Sequence, residues 1–176
     1  MPIDSTFESD FDVTEIPETD THHEIFRFPI ESKSGQDGLL LLITPRGQKP
    51  WVGLFAKGDI GGLSGAYHLP NRDRLLVVSN GQGFLVSAMS PEKSKRLDMS
   101  AIKQAMPDLQ SKRLFLADDQ RVMSLGENDI EWENNRVGKD GIKIGAVENG
   151  YLHLQVWGPP DNQKRVRLDI HNGQEA

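Results

Sequence analysis

Three features of the sequence predict an all-β fold. Beyond residue 24, short segments rich in branched and aromatic residues recur, separated about every eight to twelve residues by turn signals. The pairs Asn80-Gly81 and Asn149-Gly150 each stand between apolar runs, and Asn-Gly supplies the positive φ angles that fit a tight hairpin to the twist of its strands. Only one stretch reads as a helix.

In chain order the expected strands cover residues 24–30, 38–44, 51–56, 74–79, 84–88, 113–117, 121–125, 130–133, 142–147, 151–157 and 165–170. The second holds the longest apolar run, Leu39-Leu40-Leu41-Leu42-Ile43, which has the length of a strand and is far short of the roughly 20 residues a bilayer-spanning helix needs. Residues 100–106, SAIKQAM, begin with a serine able to cap a helix and stop before Pro107, which cannot continue the hydrogen-bond ladder. A short helix is therefore expected near 100–106, bridging two hairpins. The last strand, KRVRLDI, alternates charged and apolar residues, the pattern of an exposed sheet face or an edge guarded by charge.

The hairpins RLLVVSNGQGFLVS, RVMSLGENDIEW and KIGAVENGYLHLQVW resemble halves of propeller blades, but they start at uneven intervals. A propeller needs at least four blades of about 40–50 residues, more than this chain supplies after its N-terminal segment. The expected architecture is a sandwich or partly open barrel of antiparallel hairpins.

With 176 residues, 36% of them hydrophobic, the chain suits one core. The acids are unevenly placed. Asp4, Glu8, Asp10, Asp12, Glu15, Glu18, Asp20 and Glu24 fall in the first 24 residues with no lysine or arginine among them. The whole chain has 26 acids against 20 basic residues, so the remainder is close to neutral. The expected organisation is an acidic arm, 1–23, ahead of a single β-rich domain, 24–176. Phe7 and Phe11 leave two readings of the arm: a solvated tail, or a segment that docks its rings while its carboxylates stay wet.

The charge balance gives no electrostatic footprint for nucleic acid. No segment has the length of a membrane span, and the N-terminus has neither a basic region nor an apolar stretch of signal-peptide length, so a cytoplasmic location is expected. The absence of cysteine removes disulfides, thiolate nucleophiles and cysteine-ligated zinc or iron-sulfur sites.

Each catalytic constellation fails on its context. Gly62-Leu63-Ser64-Gly65-Ala66 nearly spells a nucleophile elbow, with His68 close by, but Ala66 replaces the final glycine and no strand-to-helix pattern surrounds it. Gly81-Gln82-Gly83 precedes a strand, so no helix N-terminus would face a phosphate. The histidines form no i, i+4 pair, and His22-His23-Glu24 would need distant ligands to hold a metal. Asp10, Asp12 and Glu15 hint at a calcium loop but lack its glycine and its final glutamate. Asp118-Asp119 are able to supply one carboxylate of a glycosidase pair, yet next to a strand start they read as a turn. No catalytic residue, metal or cofactor is expected.

The segment ENDIEWENNRVGKDGIKI places Trp132 in line with Ile130 on one strand face, and Asp140-Gly141 at a turn that tolerates left-handed backbone. Arg136 has no evident architectural role. From about residue 58 to residue 173, the order of features is similar to that of a group of small uncharacterised bacterial β-rich proteins. The quoted pieces are GLSGAYHLPNRDRLLVVSNGQGFLVSAMSPE, RLFLADDQRVMSLGENDIEWENNRVGKDGIKI, LQVWGPP and VRLDIHNG. In that group a Pro-containing turn precedes a hairpin, a Trp-containing strand leads to an arginine and an x-x-Gly-Leu/Ile turn, and the chain ends in a strand with D-x-x-x-G. Here those features fall on Pro70, Gly81, Gly83, Trp132, Arg136, Gly141, Trp157, Asp169 and Gly173. The resemblance spans about two thirds of the chain and implies a bacterial origin and a β-rich fold, with no activity to carry over.

The candidate binding residues are Trp132, Arg136, Asp140, Arg165 and Arg167, together with Asp10 and Asp12 on the arm. Arg165 and Arg167 share a face, either as a protected edge or as a basic stripe that holds the protein's own acidic arm or an acidic loop of a partner. Two functions from different classes follow. The favoured one is a non-catalytic interaction module that binds another protein, in the manner of an immunity, adaptor or assembly factor, with a homodimer through an edge strand also open. The alternative is a hydrolase or small-ligand binder whose site is assembled from Asp119, Arg136, His68 and Asp140.

Overall fold

A computed structural model describes residues 1–17, 22–29, 37–99, 101–159 and 162–176, and among these residues sixteen strands and one short 3-10 turn account for the regular structure. The chain divides into two compact units, Met1–Ala101 and Ile102–Ala176. The first contains β1 (Ile3–Asp4), β2 (Phe11–Glu15), β3 (Glu24–Phe28), β4 (Gly38–Pro45), β5 (Trp51–Ala56), β6 (Gly65–His68), β7 (Arg74–Ser79), β8 (Gln82–Ser87) and β9 (Lys95–Arg96). The second contains β10 (Gln104–Asp108), β11 (Arg113–Ala117), β12 (Val122–Gly126), β13 (Asp129–Asn134), β14 (Ile142–Glu148), β15 (Tyr151–Gly158) and β16 (Asn162–Asp169). The all-β class expected from the sequence holds, and among the described residues none of the sheets closes into a barrel.

In the first unit the sheets run in the order β2-β4-β5-β3 and β1-β6-β7-β8-β9, and share a core of Phe11, Phe28, Leu41, Ile43, Trp51, Phe55, Leu75, Val77, Phe84 and Val86. Strand alternation decides which leucines of the apolar run enter it: Leu41 and Ile43 are fully buried, while Leu40 and Leu42 are half-buried. Phe28 stacks on Phe55 with ring centroids 4.8 Å apart, and the Trp51 indole donates to the Ala88 carbonyl at 2.9 Å. A buried aromatic N–H thereby finds its acceptor across the core.

The N-terminal segment belongs to this unit. Strand β1 pairs in parallel with β6 and β2 pairs antiparallel with β4, while Phe7 and Phe11 are buried. Of the two readings of the arm, docking is the one realised for these residues, because two phenylalanines bury enough apolar surface to oppose the ordering of a short segment. Glu18 and Asp20 lie outside the described residues.

The expected helix near 100–106 is absent. Residues 104–108 form β10, an edge strand paired with β11 from Gln104↔Ala117 to Asp108↔Arg113, and Ser100 lies outside the described residues. Two turns of helix are marginal alone, whereas an edge strand gains a ladder and tolerates Pro107, since the missing N–H faces no neighbour there.

In the second unit β10-β11-β12-β13 and β14-β15-β16 are antiparallel meanders packed over one core, in which Phe115, Ala117, Val122 and Trp132 meet Ile142, Ile144, Leu152, Leu154, Val156, Val166 and Leu168. The Gln104 side chain ties the sheets together, donating to the Ile142 carbonyl and accepting from the Ile144 N–H at 2.9 Å. Both Asn-Gly hairpins take the predicted turn, with φ of 49° and 86° at Asn80-Gly81 and 51° and 82° at Asn149-Gly150.

Candidate binding face

Strand β15 alternates without interruption: Leu152, Leu154 and Val156 are buried, while Tyr151, His153, Gln155 and Trp157 point the other way and are half-buried. Its neighbours repeat the pattern in register, so residues of three strands line up in rows across the open face. Lys143, Gln155 and Arg165 form one row. His153 and Arg167 form the next, beside Gly145, and Glu148, Tyr151 and Asp169 form a third. Trp157 and Gln163 close the opposite end.

Charge is sorted along the sheet. The middle rows carry Lys143, His153, Arg165 and Arg167 without an acid, and the two carboxylates of this face lie at the hairpin end. Arg167 places its guanidinium over the Tyr151 ring, Cζ to centroid 5.4 Å. Where β14 passes the middle rows, its missing side chain at Gly145 leaves a hollow of about 380 Å³, edged by Lys143, His153, Gln155 and Arg165, with Glu148 at its hairpin end. A Cβ at Gly145 would lie 2.9 Å from the His153 carbonyl oxygen, so the depression depends on glycine. The register of β14 shifts between Ile144 and Val147, which returns Val147 to the core side.

The other sequence-derived candidates are placed differently. Trp132 is a core residue, 8% exposed, whose indole donates to the Ile170 carbonyl at 2.7 Å and packs against Gly173. Arg136 and Asp140 are exposed on the segment between β13 and β14. That segment is sutured to the end of β15 by Lys139 and Asp140 N–H groups donating to the Trp157 carbonyl at 3.3 and 3.1 Å, and by Trp157 N–H donating to the Gly141 carbonyl. Arg136, Lys139, Lys164 and Trp157 there line a smaller hollow of about 270 Å³. Asp10 belongs to the first unit, where its carboxylate accepts from Arg72 at 2.9 Å and Arg46 at 3.3 Å; Asp12 is exposed on β2 opposite Thr44. The carboxylate of Asp10 is thus already held by arginines of its own unit.

The catalytic candidates have structural partners. Asp119 is held by Lys103 at 2.6 Å, and Asp118 caps its own turn, accepting from the Gln120 and Arg121 N–H groups and from Arg121 Nε. Ser64 Oγ accepts from the Asn80 N–H at 2.9 Å, which ties that serine to the hairpin. His68 is buried beside Phe11, ring centroids 4.9 Å apart, and burial lowers its pKa while the Phe7 main chain, Asp4 and Asp12 oppose that shift. Among the described residues no three His, Asp or Glu side chains gather as a metal site, and no helix is long and apolar enough to cross a membrane.

Lys143, Gly145, His153, Gln155 and Tyr151 were not among the binding residues read from the sequence. The alternation Tyr-x-His-x-Gln-x-Trp from residue 151 was the available signal, but it names a face only once the neighbouring strands are known. No protein-family model matches the chain, and no curated protein matches it either.

Proposed function

We propose that this chain is a non-catalytic protein-interaction module, of immunity, adaptor or assembly type in a bacterial cytoplasm, and that the open face of β14–β16 holds an acidic segment of another protein. The observation that carries this is the sorting of charge on that face: Lys143 and Arg165 edge the Gly145 hollow beside His153, with Glu148 at its hairpin end, and Arg167 stands in the His153 row, flanked by Tyr151 and Trp157. The lysine and two arginines grouped in this way attract an anion, and aromatic rims supply contact area at low entropic cost.

The small-ligand alternative has one observation in its favour, the hollow lined by Arg136, Lys139, Lys164 and Trp157, which suits a small anion. A hydrolase lacks comparable support, since Asp118 and Asp119 serve a turn and an ion pair.

The test is a pull-down from native lysate with the full chain and with the R165E/R167E double variant, read by mass spectrometry. A protein recovered in stoichiometric amount by the first and lost with the second supports the reading. Equal recovery by both, or no specific protein with either, contradicts it.

A further inference from the structure

The ladder of β15 with β16 shows which main-chain groups of β16 face away from the sheet. Asp169 N–H donates outward to the Gln174 carbonyl at 2.9 Å, and the Arg167 carbonyl accepts from Ala176 N–H at 3.0 Å. Outward-facing residues alternate along an antiparallel edge, so Gln163 and Arg165 also direct their N–H and C=O groups outward. Residues 174–176 pair with β16 from Asp169 to Arg167, and Asn162, Gln163, Lys164 and Arg165 are all exposed. Among the described residues, the outward main-chain groups of Gln163 and Arg165 meet no backbone partner.

Resting on the proposed interaction role, we infer that the acidic partner segment binds as an added β-strand along β16, hydrogen-bonded to the main chain of Gln163 and Arg165, with one carboxylate over Arg165 and another directed toward the Arg167 guanidinium. Strand addition to an open edge takes its affinity from main-chain bonds and its specificity from alternate side chains. The charge of the edge selects the occupant. A second copy of β16 laid antiparallel so that Gln163 of each meets Arg165 of the other would set Lys164 directly against Lys164, and like charges directly opposite destabilise a strand pair. A single-stranded nucleic acid would satisfy the cations and stack on Tyr151 and Trp157, but has no peptide groups to complete the ladder.

The probe is a dye-labelled synthetic peptide alternating glutamate with valine, followed by fluorescence anisotropy against the full chain. It is compared with the same peptide N-methylated on alternate main-chain nitrogens and with a uridine oligonucleotide. The protein variants are Q163P, which deletes one outward N–H at an edge position where proline is tolerated, and R165E/R167E; the melting temperature of each is checked. The expected result is binding of the unmodified peptide, weakened about tenfold by N-methylation and by Q163P, and lost with R165E/R167E. N-methylation requires no change to the protein, so it remains decisive if Q163P unfolds. If R165E/R167E abolishes binding while N-methylation leaves it unchanged, the strand geometry is overturned and the binding face stands. If the wild type binds no such peptide, prefers the oligonucleotide, or self-associates through this edge in sedimentation, the inference and the reading beneath it both fail.

Discussion

The Arg167 guanidinium lies over the Tyr151 ring, its Cζ 5.4 Å from the ring centroid. The two residues come from adjacent strands, β16 and β15, and both belong to the face that carries Lys143, His153 and Arg165. The contact keeps the long arginine side chain lying across the sheet, next to the His153 row it belongs to.

Such a contact at an exposed site contributes about 0.5–1 kcal/mol. Arg167→Ala is therefore expected to lower the unfolding free energy by no more than about 1 kcal/mol in a urea titration. Binding of an acidic peptide should fall several-fold in the same variant. Loss of stability well beyond that range would assign Arg167 to the fold.

Trp132 should behave in the opposite way. Its ring fills the core of the second unit and its N–H satisfies the Ile170 carbonyl. Trp132→Ala is expected to cost about 3–5 kcal/mol, read as a shift of the urea midpoint. Gly173→Ala should also destabilise, because the residue has φ of +70° and an added Cβ would collide with the Trp132 indole.

The two Asn-Gly hairpins separate backbone strain from crowding. At Gly150, with φ of +82°, an added Cβ meets nothing within 4 Å, so Gly150→Ala should cost only the left-handed backbone term, about 1–2 kcal/mol. At Gly81 the φ is +86° and the Cβ would lie 2.9 Å from both the Ala101 Cα and the Gly61 carbonyl oxygen. Gly81→Ala should therefore lower the melting temperature more than Gly150→Ala does.

His68 predicts a pH dependence. Burial holds its pKa below 6.5 in the folded chain, against the smaller upward pulls of the Phe7 main chain, Asp4 and Asp12. The unfolded chain then binds the proton more readily as pH falls, so this contribution is complete above about pH 6.5 and is lost as pH drops toward the folded pKa. Urea titrations at a series of pH values should show the slope, and His68→Leu should flatten it.

Much of the fold was legible because its signals are local. The strands flanking Asn80-Gly81 and Asn149-Gly150 follow from turn chemistry, and the placing of Arg165 and Arg167 on one face follows from alternation with Val166 and Leu168. Strand β10 was not legible, since SAIKQAM satisfies helix propensity and only pairing with β11 overrides it. The N-terminal strands were hidden for a related reason: Phe7 and Phe11 keep neither a strand nor a helix period, and their burial depends on distant sheets. The division into two units was invisible because β7 and β8, like β11 and β12, are buried along both faces and read as continuous apolar runs. At the candidate face, Lys143 and Gly145 join the arginines only through the register of β14 with β15, which its irregularity shifts.

The most direct test of the account is an NMR titration of the isotope-labelled full chain with the alternating glutamate–valine peptide, following the backbone amides. Saturable shifts are expected to concentrate at Lys143, Gly145, His153, Gln155, Gln163, Arg165 and Arg167. Shifts concentrated instead at Arg46 and Arg72, or around Arg136 and Lys139, would place the anion-binding surface elsewhere and contradict it.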